Sequence, residues 1–263
     1  MCSVPVLPIT QRFEFEEPME GEVLEFRLIY KGALPADTGK GGRTKYKHLI
    51  RKCFHGQLRE LWQQHVSLRL QAETLWLKQS QNADGTWNVL PVVGPSLASA
   101  RPLLSAGAFG QFNRPSAMGI GPAGAKSWIE HIADDHTAYG GRWVPLVSKI
   151  GGFTCELNIL FLRRDAPGGL VAHGGDIDNR IKTLIDGLRK PESVSDLGGL
   201  PIDDDENPFH VLLEDDRLIT ALTVTTDRLL VPCEGEEKQH WVELIVGVKI
   251  VNPHALFVGN RLV

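Results

Sequence analysis

Residues 176 to 188, DIDNRIKTLIDGL, constrain the fold more than any other segment of the chain. Ile181, Leu184, Ile185 and Leu188 recur at the i, i+3, i+4, i+7 spacing of one helical face and require a core to cover them. Asp178, Lys182 and Asp186 recur at four-residue steps on a different face, and the segment opens with a residue type suited to helix capping. An amphipathic helix with acids at its entrance follows. Strand-like segments flank it. Phe153 to Leu162 (FTCELNILFL) is apolar on both faces near its end and runs into Arg163 and Arg164. Leu218 to Thr226 and His240 to Val251 alternate with the period of a strand. These last two are expected to form an antiparallel pair joined through Asp227 to Gln239.

Earlier in the chain, Val23 to Tyr30 reads as a first strand, broken by Gly32, Pro35 and Gly39. Thr44 to about Leu77 reads as a long helix, with Ile50, Cys53, Phe54 and Leu61 on one side and Lys45, Lys52 and Arg59 opposite, forming a basic stripe toward solvent. Residues 82 to 145 are rich in Gly, Pro, Ala and Ser and read as an insertion, with a short helix at Trp128 to His136. His131, Asp134, Asp135 and His136 there suit an exposed polar helix better than a metal site, because no further matched ligands accompany them. Leu197 to Pro208 reads as a loop. The resulting expectation is an α+β fold over 1–263, with a small mixed sheet flanked by helices and interrupted by a long Gly/Pro-rich insertion at about 82–145.

With 42% hydrophobic and 23% charged residues over 263 positions, the chain has the composition of a globular protein with a substantial core. No apolar run approaches membrane-spanning length, and Met1 to Pro5 lacks a secretory pattern, so a cytoplasmic protein with no membrane partner is expected. Cys2, Cys53, Cys155 and Cys233 show no spacing suited to zinc or to a disulfide framework. The net charge of −4 alone counts against a nucleic-acid partner, but the charges are unevenly spread. Lys40, Arg43, Lys45, Lys47, Arg51, Lys52, Arg59 and Arg69 face a single acid, Glu60, in their stretch, whereas acids gather between Asp176 and Asp216. A basic binding face beside an acidic site, or simply a solvated helix face, both fit this pattern.

The acids invite a chemical reading. Asp176 and Asp178 stand at the helix entrance with Lys182 one turn on, and Glu214, Asp215 and Asp216 stand directly before the Leu218 strand. Crowded carboxylates repel unless a cation neutralises them, and hard oxygen ligands favour magnesium or manganese. Spacing equally allows a plain helix cap and a solvated turn. An EF-hand is excluded, because Arg180, Ile181 and Gly187 occupy its fifth, sixth and twelfth positions. A phosphatase-type acid pair at a strand end fits poorly after His173-Gly174-Gly175.

The run Asp176-Ile177-Asp178-Asn179, then Lys182, Asp186 and Leu188, then Asp215-Asp216 before a strand, resembles the RusA-type Holliday-junction resolvases over roughly residues 153 to 226. The resemblance implies that Asp176, Asp178 and Asp216 are catalytic metal-coordinating acids for magnesium or manganese, and that Lys182 assists them. It implies a homodimer that hydrolyses phosphodiester bonds in branched DNA. Arg163, Arg164, Lys45, Lys52 and Arg59 are then expected to position the nucleic-acid backbone. A nuclease for other DNA or RNA structures and a non-cutting nucleic-acid-binding protein are the alternatives. The insertion and the His240 to Val251 strand are the candidate dimer surfaces.

Overall fold

The structure, a computed structural model, describes residues 24–35, 42–73, 75–81, 87–91, 125–163, 176–230 and 241–251. In chain order its elements are β1 (Glu25–Ala33), α1 (Gly42–Gln64), α2 (Val66–Glu73), β2 (Leu75–Gln81), β3 (Trp87–Pro91), β4 (Lys126–Ser127), α3 (Trp128–Asp135), β5 (Thr137–Ala138), β6 (Gly141–Val147), β7 (Thr154–Arg163), α4 (Asp176–Leu188), β8 (Phe209–Leu213), β9 (Ile219–Arg228) and β10 (Trp241–Val251). The architecture is α+β. Its main sheet has the order β1-β10-β7-β9, and two three-stranded sheets have the orders β3-β2-β4 and β5-β6-β8.

In the main sheet β10 runs antiparallel to both β1 and β7, whereas β7 and β9 are parallel, with Cys155 opposite Ile219 and Arg163 opposite Arg228. This corrects the expected pairing of the last two strands. β7 lies between them, and its apolar side chains are what both neighbours bury against. Since β10 is an interior strand with both edges paired, it offers no free edge to a second chain.

Alternation decides which side of the sheet is covered. Val242, Leu244, Val246, Val248 and Ile250 of β10 are buried with Leu157, Ile159 and Phe161 of β7, while their neighbours in sequence point to the other face. α1 and α4 cover that apolar face. α1 contributes Ile50, Phe54, Leu58 and Trp62 at four-residue steps, and α4 contributes Ile181, Leu184 and Leu188. Cys53, expected among the core residues, is exposed. Close approach of the two helices depends on Gly187, where an added Cβ would come within 2.7 Å of Ile50 Cγ2. Buried Arg51 stitches the same joint. It donates 2.8 Å hydrogen bonds to the carbonyls of Asp186 and Arg189 at the end of α4, which have no partner further along the helix, and a 3.2 Å bond to the Asp196 carbonyl.

The long helix expected from Thr44 to Leu77 is interrupted at His65, and its last residues become β2, paired with β3 and β4. Pairing with β3, which follows closely in the chain, and with the distant β4 overrides the local helical pattern there. The fold also resumes before the expected end of the insertion. Trp143, Val144, Leu146 and Val147 of β6 are buried, and β6 pairs in parallel with β8, a strand whose five residues are all buried. α3 begins with a capping box in which Ser127 and Glu130 exchange hydrogen bonds, but it is not an exposed helix, because Trp128, His131, Ile132 and Ala133 are buried. Residues 82–86 and 92–124 of that expected insertion lie outside the described residues.

Candidate functional site

α4 and β9 enclose a groove of about 500 Å³. Its apolar walls are Ile177, Ile181 and Ile185 of α4 and Leu222 and Val224 of β9, and it is also lined by Asp178, Lys182, Asp186 and Asp216. The groove arises from register. Leu222 and Val224 stand beside Leu157 and Ile159 of β7, on the side of the sheet that α4 covers, and the crest of α4 turns Asp178 and Lys182 outward beside them. Asp178, Lys182 and Asp216 are all exposed.

The adjacent acids divide their tasks. Asp215 accepts a 3.0 Å hydrogen bond from the Arg217 amide and caps a 3-10 turn over Asp216–Leu218; that bond holds its carboxyl below the usual carboxylate range. Glu214 accepts a 2.8 Å bond from the Lys149 amide and lies 3.9 Å from His136 Nε2. Asp216 is therefore the acid of this trio that lines the groove. Asp186 lines it too, but its carboxylate is engaged by Lys47 at 2.7 Å and by Arg189 at 2.9 Å.

Two anchors orient α4 along the sheet. Arg180, in its first turns, donates to the carbonyl of Leu34, which follows the Ala33 partner of Trp241 at the Arg163 end of the sheet. Arg189, just past its last turn, bridges Leu213, three residues before Asp216 at the Thr154 end. Asp178 thus lies toward one end of the groove and Asp216 toward the other. Asp176 begins α4, and its side chain lies outside the described residues.

Exposed carboxylates are the donor type that a hard divalent cation takes. Among the described residues no three His, Cys, Asp or Glu side chains gather closely enough to form a preformed cage. Magnesium commonly needs less, since one or two carboxylates, waters and a substrate phosphate complete its shell. Asp178 and Asp216, one toward each end of the groove, each offer a single carboxylate of that kind.

The expected nucleic-acid contacts are placed as follows. Lys45 is exposed on α1. Lys52 is not part of an open stripe, because its ammonium sits 2.8 Å from Asp203 and 2.7 Å from Glu206; these bonds raise its pKa against the opposing effect of burial. Exposed Arg59 donates to the Asp205 carbonyl at 3.1 Å. The acidic turn Asp204–Glu206 therefore docks on the basic face of α1, a pairing that helical periodicity in α1 does not reveal. Arg163 is buried at the end of β7, a correction to its expected place on the surface, and Arg164 lies outside the described residues. Asp134 of α3 is taken by Lys126 and Arg142 at 2.6 and 2.9 Å.

No described helix is long and apolar enough to cross a membrane. The chain matches no protein-family profile, no curated protein and no solved structure.

Proposed function

We propose that the chain is a divalent-metal-dependent endonuclease of the RusA type, hydrolysing phosphodiester bonds in branched DNA at the groove between α4 and β9. The observation that carries this reading is the shared groove. Asp178 and Lys182 come from one segment and Asp216 from another, and the fold makes all three line one surface cleft. These are positions where the sequence resembles the resolvases.

In this reading Asp176, Asp178 and Asp216 would hold one or two magnesium or manganese ions, which would supply Lewis-acid stabilisation and an activated water when bound. Lys182 places its ammonium against the scissile phosphate and stabilises the charge that develops on its oxygens. Asp186 takes no part in the chemistry because Lys47 and Arg189 already satisfy it.

One observation favours a second reading, a nucleic-acid-binding protein that does not cut: the spread of Asp178 and Asp216 along the groove. Incubating the purified chain with magnesium and a four-way junction, a flap, a duplex or a single strand separates the two. Cleavage of the junction in preference to the duplex supports the resolvase reading. Binding without cleavage of any substrate in magnesium or manganese contradicts it.

A further inference from the structure

A second groove, of about 310 Å³, opens where the end of β1, the first turns of α1 and the start of β10 meet. Trp241 pairs with Ala33, the last residue of β1, while α1 brings Lys45, Tyr46 and Leu49 to the same cleft. Its lining mixes aromatic and apolar side chains with two lysines. Leu49 is 38% exposed, and the Tyr30 hydroxyl in the lining is spent on a 2.8 Å hydrogen bond to the Ala33 carbonyl. Of the two lysines in the lining, Lys31 lies 3.2 Å from Glu243, so among the described residues Lys45 is the one whose charge has no ion-pair partner.

Aromatic rings beside an ammonium that has no ion-pair partner among the described residues suit a flat, anionic ligand. A nucleobase exposes its π-face only when unpaired and unstacked, and its phosphate then lies within reach of a flanking cation. A cleft of this size has no room for a duplex. Position supports the same ligand, because the two grooves share one end of the sheet. Leu34, next to the Ala33 that lines this groove, accepts the hydrogen bond from Arg180, two residues beyond Asp178.

We propose that this second groove binds an unpaired nucleotide of a single-stranded or branched DNA segment, with its base against Trp241 and Tyr46 and its phosphate at Lys45. The choice of DNA as ligand rests on the nuclease reading, while the groove itself does not. Photocrosslinking the intact chain to an oligodeoxythymidine carrying 5-iodouracil is expected to label Tyr46 or Trp241. In anisotropy titrations, Trp241→Ala weakens binding of oligodeoxythymidine by roughly tenfold, with Trp241→Phe restoring most of it. Lys45→Ala reduces the slope of log affinity against log salt by about 0.7. Affinity for a blunt duplex changes by less than about twofold in each variant. Crosslinks confined to other residues, or folded variants with wild-type affinity for the single strand, overturn the proposal. A parallel loss of duplex binding also overturns it. Crosslinking at Trp241 in a chain that cuts no DNA removes the nuclease reading alone, and junction cleavage without such a crosslink removes this inference alone.

Discussion

The Lys47 ammonium lies 2.7 Å from Asp186 Oδ2, and Arg189 donates to the other oxygen of the same carboxylate from Nε at 3.1 Å and Nη2 at 2.9 Å. This cluster joins α1 to α4 at the groove. Burial pushes the Asp186 carboxyl up, but the hydrogen bonds from Lys47 and Arg189 outweigh it and hold the carboxyl below its usual range. Asp186→Asn leaves two cations around a neutral amide and is expected to lower stability by about 2–3 kcal/mol, read as a shift in the urea midpoint. Because the folded pKa is depressed, this contribution is present above the unfolded carboxylate pKa near ~4 and is lost as pH falls through the folded value. A change below about 0.5 kcal/mol at neutral pH would contradict this structural role.

Acid should also weaken the junction between α1 and β8. His48, His55 and His210 pack around Phe209, with ring centroids 5.8 Å apart for His48 and Phe209, 4.5 Å for His55 and Phe209 and 5.5 Å for His55 and His210. Burial, then the charges of Arg51 and Lys52, lowers His48 to about 4; burial, then His55 and Arg59, lowers His210 to about 3. His55 is lowered as well, by burial first and by Arg59, with Glu206 and Asp205 opposing. An unfolded histidine takes its proton near ~6.5, so the unfolded chain gains protons before the folded one as pH drops. Stability is expected to be level above about pH 7 and to fall steadily below about pH 6, and His210→Phe should flatten the slope. Urea midpoints across that range are the check; a midpoint unchanged at about pH 5 would count against it.

The sequence shows the part of the fold set by local periodicity. The amphipathic spacing of Ile181, Leu184 and Leu188 locates α4, and the alternation from Val242 to Ile250 locates β10, because each pattern names its own buried face. What it hides is pairing. β9 and β10 look alike as strands, and nothing local says that β7 separates them. β8 is missed because a short strand covered on both faces has no alternation, only the run Phe209 to Leu213. The candidate acids show the same limit. Helical spacing sets Asp178 and Lys182 on one face, but the pairing of Asp186 with Lys47 and of Lys52 with Glu206 joins residues far apart in the chain. A seen charge stripe does not reveal what later segment will neutralise it.

Lys182 is exposed at the groove, so its loss is expected to cost rate and not fold. Lys182→Ala should lower the single-turnover cleavage rate by about tenfold to a hundredfold while changing DNA affinity by less than about threefold. Equal losses in both would show a simple backbone contact, and a lowered unfolding midpoint would make Lys182 structural.

Resolving a four-way junction takes cuts on two opposed strands, and one groove acts on one strand at a time. Two-fold symmetry supplies the second site, so the account expects a homodimer by light scattering and paired nicks in a cruciform plasmid. With both edges of β10 already paired, the interface does not form by strand addition to β10. A strict monomer giving unpaired nicks would leave a general nuclease in place of a resolvase.

The central claim is that Asp178 and Asp216, which line one groove, serve one reaction. The direct measurement is single-turnover cleavage of a four-way junction in magnesium by wild type, Asp178→Asn and Asp216→Asn, with junction affinity measured alongside. The account predicts that each variant loses at least about a hundredfold in rate, and that affinity holds or rises because a charge repelling phosphate is gone. Wild-type cleavage rates in either folded variant would contradict it.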